Sequence, residues 1–251
     1  SFDSDTQLFT SLPQNGVPGA VVALPGNDCI DEEGNLWALR MTSPGDPFSL
    51  DYRTPVGTWI TPQQPAGVIS DIRAFKAFGN QEALIAGATG EVFQFNGTSW
   101  PNKGAWRDWA DTYALEIAPQ GNIWASGIEG AARRDAATGL WQRHRITNSS
   151  QIDYFVEDLT LDTDGNVWMT GTTGGGIGGF QKFDGTRWTG FNQYTYGMGY
   201  SFPFPTDNTE AICFRPSDGT IVVNPMFNYL HSWNGSAYSS LNYSDPRSRG
   251  L

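Results

Sequence analysis

Phe183-Asp184-Gly185-Thr186-Arg187-Trp188 packs an aromatic, an Asp-Gly pair and a second aromatic into six positions, and the phrase returns as Phe95-Asn96-Gly97-Thr98-Ser99-Trp100 and Trp233-Asn234-Gly235-Ser236-Ala237-Tyr238. Weaker copies, Pro55-Val56-Gly57-Thr58-Trp59 and Ala137-Thr138-Gly139-Leu140-Trp141, fill the gaps, and Phe2-Asp3 followed by Leu8-Phe9 makes one more. The closing aromatics Phe9, Trp59, Trp100, Trp141, Trp188 and Tyr238 stand 50, 41, 41, 47 and 50 residues apart. A period in this range belongs to a four-stranded propeller blade, which cannot bury its faces alone and must stack on its neighbours.

A second phrase joins a turn to a Trp-bearing strand: Asp31-Glu32-Glu33-Gly34-Asn35-Leu36-Trp37, Pro119-Gln120-Gly121-Asn122-Ile123-Trp124 and Asp162-Thr163-Asp164-Gly165-Asn166-Val167-Trp168, with Pro216 to Val222 as a degenerate copy. Asp-Gly and Gly-Asn pairs accept the positive φ of tight hairpins, so each phrase links an innermost strand to the second strand of a blade. The two phrases together predict an all-β propeller of five four-stranded blades over 18–62, 65–105, 111–146, 153–193 and 207–242, in one domain spanning 1–251. Residues 2–13 match the end of a blade whose beginning is missing. A closed ring of five and a segment of a six- or seven-bladed ring both satisfy this spacing.

Among 251 residues, 30 Gly, 15 Pro and 14% aromatics describe a strand- and turn-rich globular chain, with no sustained 3.6-residue stripe for a helix. A formal charge of -11 repels phosphate backbones and anionic lipids, which argues against nucleic-acid partners. No apolar run approaches the roughly 20 residues that span a bilayer, and Ser1-Phe2-Asp3-Ser4-Asp5 lacks a basic leader, so a soluble segment without membrane insertion is expected. Cys29 and Cys213 occupy the same part of their repeats, just before the first turn. In a five-bladed ring a bond between them clasps the first blade to the last; two buried thiols are the equal alternative.

The pattern Asp-x-x-Gly-Asn-x-Trp, a Gly-rich strand, an aromatic-Asp-Gly turn and an aromatic outer strand resembles the two-component regulator propeller repeat, best over Leu161 to Trp188. It is also similar to the tectonin and fungal-lectin propeller repeat. The first resemblance implies a periplasmic or extracellular sensing module, the second a sugar-binding one. Leu84 and Val222 stand where the strand Trp is expected in the second and fifth blades. Neither resemblance carries a catalytic residue onto this chain.

The repeating Trp residues read as wedges between blades, since buried aromatics dominate core energetics. Residues 101–110 and 189–206 break the period, and insertions between repeats usually map to one binding face. Their aromatics, Trp106, Trp109, Tyr194, Tyr196 and Tyr200, are candidate ligand platforms, with a self-packed lid as the alternative. Near the inner-strand starts stand Asp71, Asp111, Asp158 with Glu157, and Glu210. They could form a carboxylate ring at one channel mouth, or simply be solvated rim residues. Asp71, Asp158 and Glu210 could also mimic the acid pair of a glycosidase, which requires a set separation.

The chain has two histidines, His144 and His231, neither in a metal-ligand spacing; Arg143-His144-Arg145 predicts a solvated strand edge. No cofactor is expected. Calcium is the one ion the turn acids Asp31, Glu32, Glu33, Asp162 and Asp164 would suit, although no window fits the twelve-residue EF-hand loop. The expected function is a secreted, periplasmic or cell-surface binding or sensing module rather than an enzyme, with a glycan as ligand. A protein-interaction scaffold is the first alternative and a channel-centred glycoside hydrolase or lyase the second.

Overall fold

The computed structural model describes residues 2–3, 8–9, 21–22, 29–40, 49–64, 72–106, 111–149, 155–172, 179–191, 209–225, 230–236 and 238–241. All regular structure within them is strand, and no helix is long and apolar enough to cross a membrane. Five antiparallel four-stranded sheets follow one another along the chain, each pairing its strands in sequence order. The first holds β3 (Val21–Val22), β4 (Leu36–Arg40), β5 (Ser49–Arg53) and β6 (Trp59–Ile60). The second holds β7 (Ile72–Phe78), β8 (Glu82–Gly87), β9 (Glu91–Asn96) and β10 (Asn102–Ala105). The third holds β11 (Thr112–Ile117), β12 (Ile123–Gly127), β13 (Gly130–Arg134) and β14 (Trp141–His144). The fourth holds β15 (Phe155–Leu161), β16 (Val167–Thr172), β17 (Gly179–Phe183) and β18 (Trp188–Phe191). The fifth holds β19 (Thr209–Arg215), β20 (Thr220–Pro225), β21 (Leu230–Trp233) and β22 (Tyr238–Leu241).

Each sheet falls inside a blade read from the repeat. β1 (Phe2–Asp3) and β2 (Leu8–Phe9) pair with each other, Phe2 opposite Phe9, as the last two strands of a blade do. Residues 102–105, within the stretch expected to break the period, instead build β10, displaced two residues past Trp100 and bent at Gly104, where φ is +86.

Four aromatic clusters glue these sheets face to face, and each draws from two consecutive sheets. Trp37, Leu50 and Tyr52 meet Phe75, Ile85, Phe95 and Trp100 between the first and second. Leu84 and Val92 meet Leu115 and Ile123 between the second and third. Trp124 meets Val167, Met169, Phe183 and Trp188 between the third and fourth, and Trp168, Phe180 and Phe191 meet Ile212, Ile221 and Trp233 between the fourth and fifth. A buried indole removes ~150–250 Å² from water, about 4–6 kcal/mol before entropy costs. Where Leu84 replaces the strand Trp, the cluster recruits Trp106 from beyond β10, only 2% exposed.

The turn phrase holds its Trp by chemistry as well as packing. Asp162 accepts hydrogen bonds from the N–H groups of Asp164 and Asn166, from Asn166 Nδ2 and, at 2.8 Å, from Trp168 Nε1. Asp31 repeats the set with Glu33, Asn35 and Trp37 Nε1 at 3.2 Å. One carboxylate thus ties the hairpin to the wedge of its own blade. Burial alone would push Asp162 up, but the Trp168 and Asn166 donors and the Lys182 ammonium hold it below the usual carboxylate range. Of the five turn acids considered for calcium, Asp31 and Asp162 have their carboxylates committed to their own turns. Among the described residues no group of three or more His, Cys, Asp or Glu could hold a metal ion.

The third sheet carries Ala118 where this carboxylate stands, and there His144 stacks on Trp124 while its Nδ1 accepts the Trp188 indole N–H at 3.4 Å. The expected solvated edge is wrong: His144 is 6% exposed, stacked on Trp124 at 5.4 Å between centroids and edge-on to Trp188. The flanking Arg143 and Arg145 mislead because successive residues of a strand point to opposite faces.

Two outcomes are expected. Asp162→Ala leaves the Trp168 indole N–H buried without its acceptor, and should lower the urea unfolding free energy by about 1–3 kcal/mol; an unchanged midpoint would remove the carboxylate from the account. Burial, with the Arg133 charge, lowers His144 to about 4 from the ordinary 6.5. As pH falls, the unfolded chain takes up this proton first, so the stability contribution of neutral His144 is complete above about 6.5 and lost by about 4. Thermal melts across that window should lose part of their pH dependence in His144→Phe, the buried His231, lowered in the same direction, supplying another part.

Candidate functional site

Each sheet runs as a meander, so its turns alternate between two ends. The tight phrases lie at one end; the connections from an outer strand to the next inner strand lie at the other. The segments at 107–110 and 192–208 leave the described strands at this second end. Trp109, Tyr194, Tyr196 and Tyr200 fall in these segments, outside the described residues, as does Asp71. Trp106 does not form a platform. It is buried in the core with Nε1 donating to Thr112 Oγ1 at 3.0 Å, which leaves no ring face for a ligand.

At that same end, four inner strands carry one irregularity at one level. The ladder slips between Ile72 and Ala74 in β7, Thr112 and Ala114 in β11, Val156 and Asp158 in β15, and Thr209 and Ala211 in β19. Each slip is a bulge with one residue outside the pairing, which bends the strand and re-aims its side chain. The residues so displaced are Arg73, Tyr113, Glu157 and Glu210. Opposite the bulges stand Gly87, Gly127 and Gly171. At Gly127 the reason is direct: a Cβ there would overlap the carbonyl oxygen of Asp111.

Three of these bulges, in β11, β15 and β19, open onto a cavity of about 760 Å³. Tyr113, Glu157 and Glu210 line it, together with Lys76, Asp158 and Asn224. Inner strands from four sheets contribute to its wall, which places it on the shared axis. Glu157 is pushed above the usual carboxylate range, first by burial and second by the Glu210 charge. Lys76, in the wall, is paired at 2.8 Å with the buried Glu116, whose other oxygen accepts the Ile117 N–H.

The carboxylate ring expected from the sequence takes a different form. Asp111 is exposed and lies 3.7 Å from Arg73, outside the cavity lining. Asp158 is buried, with Oδ1 accepting the Leu159 N–H at 2.8 Å and Oδ2 the Ile212 N–H at 2.9 Å. It is a strut between the fourth and fifth inner strands. What remains is Glu157 and Glu210, displaced alike by their bulges. Tyr113 and Arg73, their structural equivalents, escaped the sequence reading because a search for like charges cannot see a shared bulge. The Gly three residues past the strand Trp position was the signal available.

No protein-family model and no curated protein matches the chain. Solved structures do. Virginiamycin B lyase from Staphylococcus aureus superposes with a TM-score of 0.61 at 13% identity, over 94% of this chain and 73% of that one. YCF48 bound to D1 peptide gives 0.59 at 14%, over 91% and 68%. The extracellular domain of a putative hybrid two-component system from B. thetaiotaomicron gives 0.57 at 14%, over 88% of this chain and 32% of that one. The fold is a β-propeller. At these identities the likeness carries the architecture alone, and the propeller places the cavity where its inner strands converge.

The Glu157 environment is open to measurement. In a carbon-detected NMR titration Glu157 should titrate above Glu residues in general, and Glu210→Gln should bring it partway down, leaving the part due to burial. No response to Glu210→Gln would mean that the two carboxylates do not share a site.

Proposed function

We propose that residues 1–251 form a single propeller domain that binds a ligand without transforming it, outside the cytoplasm, whether secreted, periplasmic or at the cell surface. The ligand proposed is a carbohydrate, held at the loop-side end of the central cavity. One observation carries the reading: equivalent bulges turn Tyr113, Glu157 and Glu210 toward one cavity of about 760 Å³. Carboxylates accept hydrogen bonds from sugar hydroxyls, and a Glu157 that keeps its proton to higher pH can also donate one. A tyrosine ring offers a flat apolar surface for a sugar face. Trp109, Tyr194, Tyr196 and Tyr200 belong to segments leaving the same end, and are proposed as the rim. The engagement of both Asp158 oxygens by backbone N–H groups argues against acid–base hydrolysis there.

A protein-docking role is favoured by a different feature, the exposed Ile30, Val56 and Leu140 on the tight-turn face. The propeller–peptide pairing of YCF48 is a property of that protein, and at 14% identity it supplies a precedent for the fold only.

A glycan array followed by calorimetry separates these. Binding should weaken at least tenfold in Tyr113→Ala and Glu157→Gln, each with an unchanged unfolding midpoint. Glycan binding indifferent to both variants moves the site to the rim aromatics. A blank array, with a partner protein captured through the Val56 and Leu140 face, overturns the carbohydrate reading.

A further inference from the structure

Four carboxylates are buried among the described residues, and each has a partner. Asp31 takes the Trp37 indole and its own turn, Asp51 takes Arg40, Glu116 takes Lys76, and Asp158 takes two backbone N–H groups. A carboxylate drawn out of water is costly unless a donor or a cation meets it, so folding alone accounts for these pairings. Glu157 and Glu210 depart from the pattern. Both line the central cavity of about 760 Å³, Glu157 half-buried and Glu210 exposed, and neither has a hydrogen bond or an ion pair among the described residues.

The fold brings the two together. Asp158, next after Glu157, accepts the Ile212 N–H at 2.9 Å, and Glu210 stands two residues before Ile212. Equivalent bulges displace both from their ladders. Their proximity is felt electrostatically: after burial, the Glu210 charge is what holds Glu157 above the usual carboxylate range. No cation of the wall relieves them. Lys76 is the one Lys, Arg or His in the cavity lining, and its ammonium lies 2.8 Å from Glu116. Arg73, displaced by the bulge of β7, is outside the lining and 3.7 Å from Asp111. A metal ion is a poor complement, since calcium takes about six to eight oxygens. Among the described residues no group of three or more His, Cys, Asp or Glu could hold one, and both Asp158 oxygens are engaged. Tyr113, displaced by the bulge of β11, adds to the same wall a ring whose face attracts a cation as well as an apolar sugar face.

We infer that the ligand of this cavity carries an ammonium group received by Glu157 and Glu210, and that it is an amino sugar whose amine is unacetylated. The sugar rests on the carbohydrate reading of the cavity; the ammonium rests on the two carboxylates that nothing else in the wall neutralises. An ammonium offers three N–H donors and no acceptor, so one group can serve both acids. A sugar carboxylate or sulfate meets like charge there, which works against binding.

Calorimetry on the full chain should compare glucosamine oligomers, N-acetylglucosamine oligomers and galacturonic acid oligomers of one length, at a pH that keeps the amines protonated. The glucosamine oligomers should bind roughly tenfold or more tightly than the acetylated ones, the scale of a charge-assisted hydrogen bond, and the galacturonic acid oligomers should not bind. Glu157→Gln and Glu210→Gln should each reduce that preference, and the double variant should remove it. Each variant removes a charge without a described partner, so the unfolding midpoint should not fall; if one fails to fold, the three probes on the unmutated chain still decide. Acetylated oligomers binding as tightly as glucosamine oligomers would overturn the ammonium and leave the carbohydrate reading in place. A preference that survives the double variant takes the amine away from Glu157 and Glu210 and overturns the assignment. Putrescine bound through both carboxylates, with no sugar bound, would uphold the ammonium and overturn the sugar together with the carbohydrate reading. Silence from every probe overturns both.

Discussion

Apolar faces on both sides of the second, third and fourth sheets are the constraint on which the structure rests. An antiparallel sheet can leave one face to water, but here both sides of the second, third and fourth sheets enter a cluster with a neighbour. A sheet of this kind has no independent stability, so the repeat and the ring are two expressions of one requirement. Trp37, Trp124 and Trp168 serve it as wedges large enough to span the gap that twisted sheets leave between them. Each indole carries a polar N–H that burial would strand, and for Trp37 and Trp168 the turn answers it. The Asp-x-x-Gly-Asn-x-Trp turn supplies the carboxylate that receives it, while the same carboxylate closes the hairpin.

The polar interior follows from a second geometric device. Inner strands crowd around the axis, and a regular ladder would send their side chains only toward adjacent sheets. A bulge at one level of four inner strands frees one residue per strand from that alternation. Below it the ladder resumes, and Asp158 and the Lys76–Glu116 pair cross between strands as fixed links. The axis is thus divided between an end whose groups have been turned out of the ladder and a level whose polar groups are committed to holding strands together.

The Asp-Gly turns, the closing aromatics and their spacing were enough to read five four-stranded units, because turn chemistry and period act locally and survive without knowledge of neighbours. The wedge role of the strand Trp was legible for the same reason. Trp106 was not: its place depends on Leu84 leaving a gap in a different strand, a compensation visible only once the sheets are stacked. His144 failed similarly, since two flanking arginines suggested water while the alternation of the strand turned its imidazole into Trp124 and Trp188.

The acidic residues show where the boundary lies. Composition and position put Asp71, Asp111, Asp158 and Glu210 at corresponding points of the repeat, and by itself the sequence determined that acids gather near the inner-strand starts. Only the tertiary structure decided which of them act alike. A single inserted residue changes the facing around it, so Asp158 and Glu157, adjacent in the chain and both on the cavity wall, take different fates: Asp158 is a strut with both carboxylate oxygens on backbone N–H groups, and Glu157 is displaced from the ladder by the bulge. Side-chain type is written residue by residue, whereas facing is set by the register of a strand against its partner, and that register is a property of the assembled sheet.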